Sequence, residues 1–450
     1  MSSSRFTLPW VTQDIRRQIR KKQRCYNKAK KSGTCNDKDA FRKLRRQTDR
    51  VIRKEYRHYV SKVIGGSLET DNTKPFWKFI KAKKQQSFGI SPLNRPDGKI
   101  ATSATEKAET LNDQFKSVFT VENTSFIPPL PIKNNPDIQQ IKINKEGVLK
   151  LLSTVKINKA TGPDLIPGRI LKECCEAIAP ILTKVFQKSL DSGMLPDDWC
   201  HALITPIYKK GGKPIPANYR PISLTSISCK ILEHIIHRHI MDHIDRFDLL
   251  TDLQHGFRKS RSCESQLALT VDDLAKSLNS QGQLDLIIMD FSKAFDTVPH
   301  QRLLHKLHNM GIRGQLHSWI NYFLTKRQQC VVLDGCRSSS APVESGVPQG
   351  TVLGPLLFLV YINDLPTALK SNIRLFADDC ILYRQIKTDR DAIILQEDIN
   401  KLCQWEKDWQ MGFNTSKCFI MRITQKRSPK LHTYKMGNTP LKVVKHHPYL

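Results

Sequence analysis

Three aspartates mark the part of the chain that could carry out chemistry. Asp378 and Asp379 are adjacent and lie between two short apolar runs within residues 373–383. This pattern predicts a strand, a tight turn and a second strand, with both carboxylates at the tip of the hairpin. Asp290 ends the apolar run 284–290, which is typical of a strand buried on both faces. If these strand ends meet, three carboxylates converge.

Three carboxylates at close range cannot all ionise unless positive charge lies between them. A divalent metal usually supplies that charge, and Mg²⁺ prefers hard oxygen ligands of this kind. Two metal ions about 3.5 to 4 Å apart can stabilise the attacking and the leaving oxygen of a phosphoryl transfer. The alternative is that Asp378 and Asp379 only form a hairpin turn, since aspartate is common in turns.

Three segments surround these aspartates: MDFSKAFDTVPH at 289–300, SGVPQGTVLGPLLFLVYINDL at 345–365 and LFADDCIL at 375–382. Together they resemble the palm motifs of a non-LTR retrotransposon reverse transcriptase of the jockey-like kind. The resemblance covers about residues 156–450 and continues through KATGPDLIP (159–167), LITPIYKKGG (203–212), NYRPISLTS (218–226), QHGFRKSRS (254–262) and FNTSKC (413–418).

The resemblance implies an α+β fold with the fingers and palm of a right-hand polymerase, the palm being built on a split βαβ sheet. We expect the fingers at residues 143–283 and the palm at 284–450. Before them we expect a basic helical N-terminal arm at 1–66 and a helical and linker region at 67–142. In the resembling family an endonuclease precedes the arm, and none is recognised here. The sequence ends where the primer-grip motif begins, so without a thumb we expect weak processivity.

The resemblance also implies RNA-directed DNA synthesis, in which a primer 3′-hydroxyl attacks the α-phosphate of a deoxynucleotide. Asp290 and Asp378 would bridge two Mg²⁺ ions, with Mn²⁺ as a substitute, and Asp379 would support the site. Phe295, five residues beyond Asp290, would exclude the ribose 2′-hydroxyl, unless it is an ordinary core residue. Lys417 would be a general acid for the departing pyrophosphate, unless it is simply exposed.

A basic loop at residues 209–213 lies between two predicted strands, 202–208 and 219–224. Glycine in such a loop lets the backbone approach phosphate, and lysine supplies point charge. A Walker phosphate loop is excluded, because Gly212 and Lys213 precede a proline instead of Ser or Thr. By resemblance, the residues that hold the incoming triphosphate are Lys209, Lys210 and Arg220, with Arg258 as a further contributor.

Gln349 and Gly350 come just before a predicted apolar helix at residues 353–365. The glycine would allow close approach to template and nucleotide, and Gln349 could hydrogen-bond the sugar or the edge of the base pair. Alternatively, Gly350 and its neighbours Gly346 and Gly354 only mark turns.

Other polar residues have weaker signals. Asp285, Asp296 and Asp364 are near the motifs in sequence but not at strand ends, so we assign them structural roles. His239 and His243 lie four residues apart on a predicted helix and could ligate zinc, but a third ligand is not evident. Exposed or template-facing histidines are the favoured alternative.

The charge of the chain indicates a polyanionic partner. Lys and Arg number 72 against 42 Asp and Glu, and the formal net charge is +30. Nucleic acid fits this excess best, with an anionic membrane as the lesser alternative. The first 60 residues hold nineteen Lys or Arg against five acids, and apolar residues recur at helical spacing from Phe41 until Gly65 and Gly66. This predicts a basic helix that either binds phosphate or is only solvated.

The 12 cysteines are scattered without a CxxC pair, which indicates reduced intracellular thiols. A signal peptide is not visible, and the longest apolar run, 352–362, is too short to span a bilayer. We therefore do not expect a membrane partner, and the resemblance implies an RNA template, a DNA primer or target and dNTP as partners. The resemblance implies action in the nucleus, although the basic clusters form no clear address.

Local patterns predict further elements. Ser103 and Glu106 form a capping box for a helix reaching Phe119. A short helix should follow Asn72, and the proline-rich segment 124–137 is the best linker candidate. Helices are also predicted at 144–155, after the turn residues 161–164 as far as Gly193, at 229–245 and at 396–411.

Two functional hypotheses compete. The first is the RNA-directed DNA polymerase of a mobile element, and the second is an inactive remnant that binds nucleic acid without catalysis. A decayed copy has no reason to retain Asp290, Asp378 and Asp379, which favours the first. An RNA-directed RNA polymerase is disfavoured, because it would need a ribose-accepting residue in place of Phe295.

Overall fold

The computed structural model describes residues 13–69, 89–131 and 135–447, with side chains in the helix that ends at Glu69 described as far as residue 62. The chain divides into two compact units, Met1–Phe88 and Gly89–Leu450. The helix predicted after Asn72 lies outside the described residues, as do parts of the predicted linker and the last three residues.

The described part of the first unit is a pair of packed helices, Gln13–Ser32 and Cys35–Glu69. Gly33 turns the chain between them with a left-handed φ of +68°, and the Tyr26 and Phe41 rings pack 5.3 Å apart. From residue 13 onward, the basic arm is therefore helical as predicted. The predicted helix end at Gly65 and Gly66 is wrong, since the second helix continues to Glu69. A helical glycine costs only about 1 kcal/mol, so two of them need not end a long helix.

A five-stranded sheet forms the centre of the second unit. Its strands lie in the order Lys442–Val444, Phe419–Thr424, Gln283–Asp290, Asp379–Gln385 and Asn372–Phe376. Gln283–Asp290, here called the central strand, is antiparallel to both of its neighbours. Helix Asp389–Trp409 connects those two neighbours, which therefore run parallel to each other with the central strand between them. This is the predicted split βαβ arrangement.

A second sheet has the strand order Tyr219–Leu224, His201–Tyr208, Gln328–Leu333 and Cys336–Arg337, and Ala341–Pro342 also pairs with Gln328–Leu333. Two of its strands, 201–208 and 219–224, match the predicted pair almost residue for residue. The strand at 328–333 lies after residue 283, where the predicted fingers end, and it pairs in parallel with 201–208. Segments far apart in sequence thus share one sheet.

Helices cover these sheets: Ala104–Lys116, Lys145–Ser153, Gly168–Glu173, Cys175–Ser192, Asp197–Cys200, Ile227–Arg246, Cys263–Asn279, His300–Asn309, Gly314–Thr325, Leu353–Ile362 and Asp389–Trp409. Short 3-10 turns lie at Pro216–Asn218 and Thr415–Lys417, and two-residue strands pair at Leu93–Asn94 with Ile100–Ala101 and at Lys435–Met436 with Thr439–Pro440. The predicted capping box of Ser103 and Glu106 is present. Every residue of Leu353–Ile362 except Pro355 is buried, as expected of a helix that is apolar all round.

The structure also bears on the cysteines, on the possible zinc ligands and on membrane-spanning helices. All 12 cysteines are free. His243 is buried with Nε2 2.9 Å from the Met310 carbonyl oxygen, so the zinc hypothesis for His239 and His243 fails. Among the helices in the described ranges, none combines the length and the apolar character needed to cross a membrane.

Candidate active site

The three aspartates meet at one edge of the five-stranded sheet. Strands Asn372–Phe376 and Asp379–Gln385 form a hairpin whose two-residue loop is Ala377 and Asp378. Asp379 is in register with Phe376 on one side and with Asp290 on the other. Residues directly opposite in antiparallel strands have Cβ atoms about 4.5 to 5.5 Å apart, so the predicted convergence of the strand ends is confirmed.

The carboxylates act on one another electrostatically. Burial raises the pKa of Asp379, and the negative charges of Asp378 and Asp290 raise it further. The positive charge of Lys209 acts in the opposite direction. An additional cation between the carboxylates would therefore stabilise their ionised forms.

The site does not contain a ready-made metal cage. In the described ranges, no group of three or more His, Cys, Asp or Glu side chains is arranged to hold a metal ion, and the Asp290 carboxylate contacts the Lys417 ammonium instead. Mg²⁺ is commonly bound by only one or two carboxylates together with substrate phosphates. The oxygen donors of Asp290, Asp378 and Asp379 fit a divalent ion that arrives with such a substrate.

A cavity of about 540 Å³ opens beside Asp290 and Asp378. Its charged and polar lining includes Lys209, Lys210, Asn218, Arg220, Lys293, Asp296, Gln349, Asn414 and Lys417. Burial lowers the pKa of Lys209, and the nearby charges of Arg220 and Lys417 lower it further. Bringing a multiply charged anion into the cavity would relieve this repulsion among the cations.

The predicted phosphate-binding loop is folded by its own hydrogen bonds. The Lys209 N–H donates to the Asn218 carbonyl oxygen at 2.9 Å, and the Asn218 side-chain amide donates to the Gly212 carbonyl oxygen at 2.9 Å. Gly211 has a left-handed φ of +93°, and a Cβ there would lie 2.7 Å from Asn218 Nδ2. The loop thus holds Lys209 and Lys210 at the cavity wall without needing a ligand.

Phe295 is fixed in the cavity wall by two other aromatic rings. It stacks on Phe358 with ring centroids 4.7 Å apart and meets Phe257 edge-on at 6.1 Å. Its backbone oxygen accepts a hydrogen bond of 2.7 Å from the Val347 N–H. A ring packed against a buried neighbour such as Phe358 cannot easily move away from a substrate, as a size filter requires.

Gln349 and Gly350 have different roles. Gln349 lines the cavity and donates from Nε2 to Asp296 Oδ1 at 3.0 Å. Gly350 has a φ of +103°, and a Cβ there would lie 2.7 Å from the Ser223 carbonyl oxygen. The close approach that Gly350 permits is therefore to strand Tyr219–Leu224, while the prediction had it facing template and nucleotide.

Arg258 lies outside the cavity lining. Its Nη1 donates to the Thr251 carbonyl oxygen at 2.8 Å, and burial lowers the pKa of its guanidinium. The structure thus places it in the support of a neighbouring loop, away from the expected triphosphate.

The three aspartates assigned to structural roles also differ. Asp285 is fully buried and accepts hydrogen bonds from Gln283 and Tyr434, and Asp364 pairs with Lys306 at 2.6 Å. Asp296 lines the cavity and accepts a hydrogen bond from Gln349, so its structural contact is with a residue of the site. Burial raises the pKa of Asp296 to about 6.

Sequence reasoning missed Asn414, although it lies in the FNTSKC motif. Its N–H donates to the Asp290 carbonyl oxygen at 2.7 Å, and the Lys417 N–H donates to the Asn414 carbonyl oxygen at 2.8 Å. The chain therefore turns back over the end of the central strand and brings Lys417 to Asp290. Lys293, also in the lining, was missed despite lying in MDFSKAFDTVPH.

Carboxylates on adjacent strand ends, facing a cationic cavity from a mixed α/β domain, suit the binding of metal and nucleotide phosphate. A family model described as reverse transcriptase (RNA-dependent DNA polymerase) matches residues 207–442. Because this match covers more than half of the chain, the chain belongs to the reverse transcriptase family.

Three relatives make the similarity more specific. The chain is 28% identical over 442 residues to the RNA-directed DNA polymerase from mobile element jockey of Drosophila funebris, with 94% of the chain and 48% of that relative covered. The Drosophila melanogaster jockey protein is 28% identical, covering 76% of the chain and 39% of the relative. The probable RNA-directed DNA polymerase from transposon BS of Drosophila melanogaster is 26% identical, covering 92% and 48%. The resemblance to jockey-like non-LTR enzymes is confirmed, and the chain spans about half the length of the jockey protein of Drosophila funebris.

Proposed function

We propose that the chain copies RNA into DNA by joining deoxynucleotides to a primer 3′-hydroxyl. The observation that carries this proposal is that Asp290 and Asp378 lie on the wall of a cation-lined cavity, while Asp379, outside that lining, is in register with Asp290. In the reaction, a bond forms between the primer 3′-oxygen and the α-phosphorus, the bond to the β-phosphate oxygen breaks, and pyrophosphate leaves.

Asp290 and Asp378, with Asp379 in support, would hold two Mg²⁺ ions, or Mn²⁺ in their place, and these would neutralise charge on the reacting phosphate. The chain's own residues bind and orient the substrate. Lys209, Lys210 and Arg220 line the same cavity as Asp290 and Asp378 and attract the triphosphate.

Phe295 selects the sugar in this proposal. Its ring stacks on Phe358 and contacts Phe257, and an apolar ring offers a ribose 2′-hydroxyl neither space nor a hydrogen-bond partner. Deoxyribose therefore fits better than ribose, which distinguishes DNA synthesis from RNA synthesis.

Lys417 has two successive partners. It contacts the Asp290 carboxylate and lines the cavity, so it offsets the charge of Asp290 before substrate enters. If Asp290 held a metal ion, the Lys417 ammonium would remain within the same cavity and would donate a proton to the departing pyrophosphate. Gln349, oriented by Asp296, is placed to hydrogen-bond the nucleotide.

We further assign the fingers to residues 143–283 and the palm to 284–450, in a right-hand polymerase. An RNA template and a DNA primer or target are the proposed partners. The excess of Lys and Arg in the first 60 residues supports an additional contact with phosphate backbone, and the nucleus is the proposed compartment because a DNA target lies there.

The test is extension of a labelled primer on an RNA template with Mg²⁺, comparing the chain with the double variant Asp378→Ala, Asp379→Ala. We expect the chain to extend the primer and the double variant to lose extension by about a thousandfold or more. The matched control is Asp197→Ala, Asp198→Ala, which removes another adjacent pair of exposed aspartates and should keep full activity.

The same assay decides the competing hypothesis of a remnant that binds nucleic acid without copying it. That hypothesis requires a chain that binds the primer and template, measured by fluorescence anisotropy, but gives no extended product. Binding without extension under Mg²⁺ and Mn²⁺ would therefore reject RNA-directed synthesis by this chain.

A further inference from the structure

The turn that carries Asp378 contains a residue in an unfavourable conformation. Ala377, the first of the two loop residues, has a φ of +51°. Residues with a Cβ rarely adopt this left-handed region, and hairpin loops usually place Gly, Asn or Asp there. Such a conformation persists only where the surrounding structure supports it.

The support comes from Gln254, in the QHGFRKSRS segment. The Gln254 side chain is 2% exposed, and its Oε1 accepts hydrogen bonds from the Ala377 N–H at 2.9 Å and from the Gly256 N–H at 2.7 Å. Within the part of the chain that the structure describes, Gln254 Nε2 has no hydrogen-bond partner. The contribution of this buried amide is therefore its carbonyl oxygen, which a leucine of similar size could not replace.

The backbone on both sides of Gln254 is joined to the same hairpin. The Leu375 N–H donates to the Leu253 carbonyl oxygen, and the His255 N–H donates to the Leu375 carbonyl oxygen, both at 2.9 Å. A Cβ on Gly256 would lie 2.3 Å from the Ala377 nitrogen. The segments 254–256 and 375–377 are in contact at this point, so a small displacement of residues 254–256 would move the turn.

We propose that Gln254 is a positioning residue that holds Ala377 in its left-handed conformation, thereby aims the Asp378 carboxylate into the cavity and fixes the start of the strand that carries Asp379. The proposal rests on the proposed function, because it concerns the same carboxylates. Gln254 itself does not line the cavity, so its effect passes through the backbone of the turn.

The test compares Gln254→Leu with Gln283→Leu. Gln283 is another buried glutamine on the same sheet, at the far end of the central strand from Asp290. Amide hydrogen exchange should become about tenfold faster in peptides covering residues 373–382 of Gln254→Leu only. Binding of Mn²⁺, measured by electron paramagnetic resonance, should weaken about tenfold in Gln254→Leu and remain unchanged in Gln283→Leu.

The kinetic readout is single-nucleotide extension. Gln254→Leu should lower kcat about tenfold to a hundredfold with little change in the KM for dNTP, and it should need more Mg²⁺ for half-maximal rate. Adding Ala377→Gly should restore part of the loss, because glycine adopts a positive φ without support. This rescue separates control of the turn from general support of the fold.

Three outcomes would overturn the proposal: exchange and Mn²⁺ binding that match those of Gln283→Leu, a lost kcat that Ala377→Gly leaves unrestored, or a Gln254→Leu chain that fails to fold even with Ala377→Gly. If the unsubstituted chain does not extend a primer, the proposed function fails. Hydrogen exchange and Mn²⁺ binding would still decide the role of Gln254.

Discussion

The central strand carries two aspartates, Asp285 inside the strand and Asp290 at its end, and their environments are opposite. Asp285 is fully buried, accepts hydrogen bonds from Gln283 at 2.9 Å and Tyr434 at 2.7 Å, and lies 3.8 Å from the Arg422 Nε. Burial, and then the charge of Asp285, raise the pKa of Tyr434, so this hydroxyl keeps its proton and donates it. Asp290, five residues further on, faces an open cavity and contacts Lys417.

This difference shows how one strand can use the same residue type for stability and for chemistry. A buried carboxylate surrounded by donors contributes to the fold and cannot be reached by a ligand. A carboxylate at a strand end, beside other carboxylates, is left with unmet charge that a metal and a nucleotide can satisfy. The role of each aspartate is therefore set by its position, inside the strand or at its end, and not by the residue type.

The largest expected effect is the loss of activity on substitution of Asp290, which faces the cavity. Asp290→Asn should lower nucleotide incorporation by about a thousandfold or more, because it removes a charged metal ligand. The free energy of unfolding should change by less than about 1 kcal/mol, since the pair with Lys417 is partly exposed. Primer extension and urea denaturation measure the two effects, and a variant retaining a tenth of the activity would contradict the metal-binding role of Asp290.

The same substitution at the buried Asp285 should lower stability and leave activity nearly unchanged. Asp285→Asn turns an acceptor of the Gln283 amide into a donor, so the free energy of unfolding should fall by about 1 to 3 kcal/mol. Activity per folded molecule should stay within about threefold of the unsubstituted chain. If activity fell while urea denaturation showed no loss of stability, the contrast drawn between Asp285 and Asp290 would be wrong.

The wall of the open cavity gives a third, smaller effect. Phe295→Ala should lower the preference for deoxynucleotides over ribonucleotides by about tenfold to a hundredfold, because space opens beside the sugar. The ratio of kcat/KM for dNTP and NTP measures this preference. Phe247→Ala, a partly exposed phenylalanine outside the cavity, is the control, and unchanged discrimination in Phe295→Ala would exclude the sugar filter.

Asp296 lies between the two extremes, since it lines the cavity but is held by Gln349. Burial raises its pKa from the usual 3.8 to about 6, so between these values the folded state holds a proton that the unfolded chain has released. The free energy of unfolding should therefore fall as pH rises from about 4 to about 6. Asp296→Asn should lack this fall and become more stable relative to the unsubstituted chain by about 2 kcal/mol.

Denaturation of both chains at several pH values measures the difference, in which the titration of other groups cancels. An equal pH dependence in both chains would mean that Asp296 is ionised at its usual pH, and hence that water reaches it freely.

Local sequence predicted much of the architecture that holds the site. The alternation of apolar residues and turn residues defined the hairpin at 373–383, the strands 202–208 and 219–224, and the central strand. These elements depend on neighbours in sequence, and burial then selects them. The helix through Gly65 and Gly66 was mispredicted because a weak local penalty was treated as an end signal.

Contacts between distant segments could not be read in this way. Nothing in FNTSKC states that Asn414 binds the backbone of Asp290, and nothing near Gln254 states that its side chain reaches Ala377. Gly350 has the type expected of a residue near a ligand, yet its close neighbour is Ser223. A residue's type limits what it can bind, whereas its partner depends on how the chain folds back.

The sequence by itself determined the three aspartates, the positive charge, the motif series and hence the family. Only the tertiary structure decided that Asp285 is buried, that Asp290 faces the cavity and that Lys417 contacts Asp290. The reason is physical. Side-chain chemistry is a local property of the chain, but solvent exposure and the pairing of charges arise when strands far apart in sequence align in one register.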